Sequence, residues 1–143
     1  MRVDPILLVE DSEDERLLAR RALKRSIGDY PIIAVANGQE AIDHLFSPNP
    51  AQCLTPKVVI LDLKMPKMGG LEVLKAIRSN PRTSALPVVI LTSSKEHRDL
   101  VDCYQSGANS YVQKPVDSTE YSETIAVIGR YWATINERAQ IQE

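Results

Sequence analysis

Short aliphatic runs alternate along this chain with longer segments whose apolar residues return every three or four positions. Four runs, Ile6–Val9, Ile32–Ala36, Val58–Leu61 and Val88–Leu91, are rich in aliphatic and β-branched residues and read as strands. A weaker fifth lies at Ser110–Gln113. The continuous apolar character of the first, third and fourth predicts strands covered on both faces, as in a parallel sheet.

Helical spacing fills each gap. Ser12 and Glu15 have the spacing of a capping box, and Leu18, Ala19, Ala22, Leu23 and Ile27 follow as one stripe that stops at Gly28. A second helix opens at Asn37 and Glu40 and turns Ala41, Ile42, Leu45 and Phe46 inward. The third follows Gly69-Gly70, carries Leu71, Leu74 and Ile77, and ends before Pro81. The fourth spans about Lys95 to Gly107, with Leu100, Val101 and Tyr104 as its apolar positions. The last starts near Asp117 and runs into the 130s. On it Tyr121, Ile125, Ile128, Trp132 and Ile135 form a core-facing stripe, with Val127 and Tyr131 on another side.

A strand–helix unit repeated five times predicts an α/β fold with right-handed crossovers and helices on both faces of one parallel sheet. The expected arrangement is the flavodoxin-like (βα)5 doubly wound sheet, strand order 2-1-3-4-5. One domain, residues 1–143, accounts for the chain, with a core over about 5–135 and a short C-terminal tail. The long loop-like segment from Ser47 to Lys57 holds Pro48, Pro50 and Pro56.

Composition narrows the function. With 43% hydrophobic and 25% charged residues the chain is ordinary globular material. No apolar run approaches the ~20 residues of a membrane span, and strand-like sequence followed by acids at the N-terminus is unlike a secretory leader. The expected location is the cytoplasm, without membrane contact. A formal net charge of -2 provides no global footprint for nucleic acid. Cys53 and Cys103 are too few and too far apart for a metal cage, and His44 and His97 lack ligand spacing.

The chemistry collects at strand ends, where ligands bind in open α/β sheets. The first strand ends in Val9-Glu10-Asp11, the third in Leu61-Asp62, the fourth in Leu91-Thr92-Ser93 and the fifth in Gln113-Lys114-Pro115. If strands 1 and 3 are neighbours, three carboxylates converge, and such a cluster needs either a raised pKa or a cation. Hard oxygen ligands around an open position suit Mg²⁺. Asp62 would then be the nucleophile in phosphoryl transfer. Asp11, Asp62 and the Lys64 backbone carbonyl would hold the ion, with Glu10 acting through a water. Thr92 and Lys114 would bind phosphoryl oxygens. Taken singly, each residue has a plainer role as a cap, turn or surface group; their joint order is what points to a site.

These motifs resemble the receiver domains of two-component response regulators: ILLVEDSED at the first strand, VVILDLKMPKMGG at the third, VVILTSS at the fourth and YVQKP at the fifth. The resemblance implies that Asp62 accepts phosphate from a sensor histidine kinase and later loses it by hydrolysis. Such a protein is a phosphoacceptor regulator rather than an enzyme acting on other molecules. It also implies that Thr92 and Tyr111 form a switch pair and that the Lys114–Pro115 bond is cis. Lys64 and Ser94 border the path of the attacking water and should affect phosphoryl lifetime. A haloacid-dehalogenase-type phosphatase would want a second Asp where Lys64 stands. A phosphate-independent receiver-like binding module would usually have lost one of Glu10, Asp11, Asp62, Thr92 or Lys114.

Little sequence follows the fifth helix, so the expected output is a protein contact, self-association or phosphate relay, without direct DNA binding; the resemblance implies homodimerisation through the fourth helix, fifth strand and fifth helix. Arg16, Arg20, Arg21, Lys24 and Arg25 place a basic face on the first helix, a solvated surface or a kinase-docking one. A narrower resemblance links the Ser47–Pro56 loop and the tail Gly129-Arg130-Tyr131-Trp132…Asn136-Glu137 to single-domain regulators paired with phytochromes. It implies a kinase that senses red light.

Overall fold

The computed structural model describes residues 4–139. Its elements follow the order β1 Ile6–Val9, α1 Glu13–Ile27, β2 Ile32–Val35, α2 Gly38–Leu45, β3 Val58–Leu61, α3 Gly70–Ser79, β4 Val88–Thr92, α4 His97–Gln105, β5 Ser110–Gln113 and α5 Ser118–Arg130. All strands pair in parallel, in the order β2-β1-β3-β4-β5 expected from the sequence. Val9 lies opposite both Val35 and Leu61, so the acids that follow β1 and β3 leave the sheet side by side.

Strand side chains alternate between the two faces. Leu7 and Val9 of β1 join a core with α2 and α3 that includes Leu45, Leu74 and Ile77. Ile6 and Leu8 join one with α1 and α5 that includes Leu23, Tyr121 and Ile125. Two apolar faces explain why β1, β3 and β4 are buried along their whole length. Ser26 Oγ ties α1 to α5 by donating to the Ala126 carbonyl at 2.9 Å.

Three expectations need correction. The α5 stripe reaches Trp132, which packs half-buried against the α1–α5 core, but does not continue to Ile135. The helix widens into a π turn over Tyr131–Ile135, closed by Asn136 N–H donating to the Tyr131 carbonyl. The extra residue in that turn moves Ala133 into the core beyond Ile128, leaving Trp132 half-buried and Ile135 56% exposed. On α4 the buried position is Cys103, whereas Tyr104 is exposed. Finally, no described peptide bond is cis, so Lys114–Pro115 is trans. Trans is the ordinary isomer, and here the Lys114 N–H extends the sheet by donating to the Thr92 carbonyl at 2.7 Å.

The proline-rich segment is pinned rather than loose. Arg82 donates to the Leu54 carbonyl at 3.4 Å and to the Leu45 carbonyl just before the segment, and lies over the Phe46 ring at 5.7 Å. Arg138 pairs with Asp4 and donates to the Pro56 carbonyl, so the C-terminal tail returns to the amino ends of β1 and β3.

Candidate functional site

The carboxyl edge of the sheet gathers Glu10, Asp11, Asp62, Thr92 and Lys114. Carboxylate oxygens of Glu10, Asp11 and Asp62 lie within 4.8 Å of one another. Glu10 and Asp62 are buried and Asp11 is exposed, giving the cluster one open side. Gly70 is required here. A Cβ on it would sit 2.3 Å from the Asp62 carbonyl oxygen, so α3 could not start against the end of β3.

Lys114 enters from the end of β5 with its side chain only 7% exposed. Its ammonium lies 2.7 Å from Glu10 Oε1, 3.2 Å from Glu15 Oε2 and 3.5 Å from Asp62 Oδ2. Burial opposes that charge, but the Glu10 bond and the Asp62 charge prevail and hold the lysine pKa above its usual value. Burial pushes Asp62 up to about 8; the negative charge of Glu10 adds to the effect and Lys114 opposes it. Glu10 is raised for the same first reason, burial. Three crowded carboxyl groups, two of them costly to ionise, are a donor set that fits a hard divalent cation.

Thr92 is fully buried and accepts the Ser94 N–H at 3.2 Å, which leaves its own hydrogen to donate. Tyr111 is half-buried and donates its hydroxyl to the Ser94 carbonyl at 3.3 Å. Lys64 is turned outward, its ammonium 3.2 Å from Asp99, whose second partner is Ser94 Oγ at 2.5 Å. That hydroxyl hydrogen bond, with Lys64 beside it, keeps the Asp99 carboxyl below its ordinary pKa.

Sequence reasoning missed Asp99 and misassigned Glu15. Ser12 does cap α1 through the Glu15 N–H, but the Ser12 N–H is taken by Glu10 Oε2 at 3.0 Å. The Glu15 carboxylate, with no capping bond to make, reaches Lys114. Its position one helical turn after Asp11 was the available signal. Of the basic residues on α1, Arg16 turns back to the Glu10 carbonyl at 2.9 Å, while Arg20, Arg21, Lys24 and Arg25 are exposed. His44 and His97 are exposed as expected; Cys103 is buried and Cys53 partly so.

Comparison with known proteins bears on the family and the fold. The probable methanogenesis regulatory protein FilR2 of Methanothrix harundinacea is 37% identical over 127 residues, covering 89% of this chain and 82% of its own. Response regulator Rcp1 of Synechocystis is 33% identical over 128 residues, 89% of this chain and 87% of Rcp1. The structure of Rcp1 in its Mn²⁺-bound form superposes with a TM-score of 0.87 at 31% identity, over 95% of this chain and 99% of that one. The phosphorylated cyanobacterial phytochrome response regulator RcpA superposes with a TM-score of 0.90 at 28% identity, over 97% and 100%. The family model for the response regulator receiver domain matches residues 6–126. With that match over most of its length, and with the five-stranded 2-1-3-4-5 sheet beneath it, the chain belongs to the receiver domains of two-component response regulators.

Proposed function

We propose that this chain is a signalling switch in which Asp62 accepts a phosphoryl group from the histidine of a sensor kinase, with Mg²⁺ as the working ion. An Asp62 oxygen forms the new bond to phosphorus as the P–N bond breaks, and the electron pair of that bond stays with the imidazole. The observation that carries this reading is the buried Lys114 ammonium between Glu10 and Asp62, inside a cluster of three carboxylates. Asp11, Asp62 and the Lys64 carbonyl would hold the ion, with Glu10 assisting through a water. When bound, Mg²⁺ supplies charge neutralisation and a template for phosphoryl oxygens.

Lys114 meets the charge that develops on those oxygens, and the uncommitted Thr92 hydrogen donates to another. Movement of Thr92 is passed to Tyr111 through Ser94, to which both are bonded. Residues 1–143 act as one receiver unit, and the same site later releases phosphate to water. Output is by protein contact or by a dimer through α4, β5 and α5, with Val127 exposed on α5 and Val116 and Tyr131 exposed just beyond its two ends. Among the described residues no helix is long and apolar enough to cross a membrane, which suits a cytoplasmic partner of a kinase. The similarity to RcpA, together with the loop and tail, favours a phytochrome as that kinase.

Intact mass after incubation with acetyl phosphate and Mg²⁺ tests the chemistry. One added phosphoryl group is expected, absent in Asp62→Asn and without Mg²⁺. Sedimentation of the same samples tests the dimer. No adduct, even with beryllofluoride, would leave a phosphate-independent binding module.

A further inference from the structure

The Lys114 ammonium, with three hydrogens to donate, lies within reach of three carboxylates: Glu10 at 2.7 Å, Glu15 at 3.2 Å and Asp62 at 3.5 Å. Glu10 and Asp62 have roles in the proposed transfer; Glu15 has none. It stands on the first turn of α1 and reaches across to the end of β5, while its backbone carbonyl accepts the Tyr121 hydroxyl of α5 at 3.3 Å. The Glu15 carboxylate is therefore held where α1, α5 and the end of β5 meet. A phosphoryl group on Asp62 must draw Lys114 away from a partner it already has. Glu15 also adds negative charge beside a site that must admit an anion.

We infer that Glu15 is a positioning residue that competes with the phosphoryl group for Lys114 and so weakens the hold of the site on that group. The inference rests on the phosphotransfer reading above. Two variants separate its parts. Glu15→Gln keeps size and an acceptor oxygen but loses the charge, whereas Glu15→Asp keeps the charge and shortens the reach by one methylene. Both should fold, because Ser12 caps α1 through the Glu15 backbone N–H and the side chain is 41% exposed.

The experiment is a calorimetric titration of beryllofluoride into the full chain at saturating Mg²⁺. Both variants are expected to bind about two- to fivefold tighter than wild type, the range a half-exposed ion pair allows. Mg²⁺ affinity measured without beryllofluoride should not rise, because no positive charge has been removed. Tighter binding in Glu15→Gln alone would mean that the charge acts through space and would overturn the competition. Unchanged or weaker binding in both, or a parallel rise in Mg²⁺ affinity, would overturn it as well. A wild type that binds no beryllofluoride would instead sink the phosphotransfer reading, and this inference with it.

Discussion

The Tyr111 hydroxyl donates to the Ser94 carbonyl at 3.3 Å, linking β5 to the loop after β4. Through its N–H, Ser94 also holds Thr92 Oγ1, so one loop residue touches both members of the proposed switch pair. Tyr111→Phe should cost about 1 kcal/mol of stability or less, the net worth of one partly exposed hydrogen bond. Amide hydrogen exchange at Ser94 should quicken, while phosphorylation by acetyl phosphate still reaches one group per chain. Exchange at Ser94 indistinguishable from wild type would show that the bond does not restrain the loop.

Asp62 gives stability a pH dependence opposite in sign to that of an ion-paired carboxylate. Its folded pKa of about 8 lies above the ordinary value because burial, and then Glu10, disfavour the charge. Its contribution to stability is therefore full below about pH 4 and is lost as pH climbs toward 8. In Mg²⁺-free buffer, Asp62→Asn should gain about 1–3 kcal/mol in urea unfolding at pH 8 and little at pH 4. A gain independent of pH would exclude Asp62 titration as its source.

Gly70 allows α3 to start against the backbone of Asp62. Its added Cβ would meet the Asp62 carbonyl oxygen at 2.3 Å and Leu63 Cα at 2.9 Å, both backbone atoms that cannot rotate aside. Gly70→Ala is expected to destabilise by about 2 kcal/mol and to slow phosphorylation by shifting Asp62. Wild-type values for both midpoint and rate would show that the backbone yields at no cost.

Lys67 is the only described non-glycine residue with positive φ, at 66°. An L-residue in that region costs about 1 kcal/mol, less for Asn, whose short polar side chain bonds locally. Lys67→Asn should raise stability by about 0.5 kcal/mol, seen as a small rise in Tm. A fall would indicate that the exposed lysine makes a compensating contact.

Local patterning made legible the elements, their order and the acidic, hydroxyl and lysine residues at the strand ends. Continuous apolar runs and a return every three to four residues are local signals, and burial on both sheet faces is what made β1, β3 and β4 legible. Adjacency of β1 and β3 then brought Glu10, Asp11 and Asp62 together. Tertiary structure decided which partner each long side chain takes. Glu15 could have closed a capping box within its own helix, yet Glu10 occupies the Ser12 N–H and a buried ammonium lies within reach. Asp99 acquired its partners from loops after β3 and β4 that are far apart in sequence. The π turn after α5 moved Ala133 inward and Ile135 outward, a one-residue shift that periodicity cannot register because it assumes a constant helical pitch. Apolar patterning is written within each element, whereas a charged side chain chooses among partners at distances that exist only once the sheet has formed.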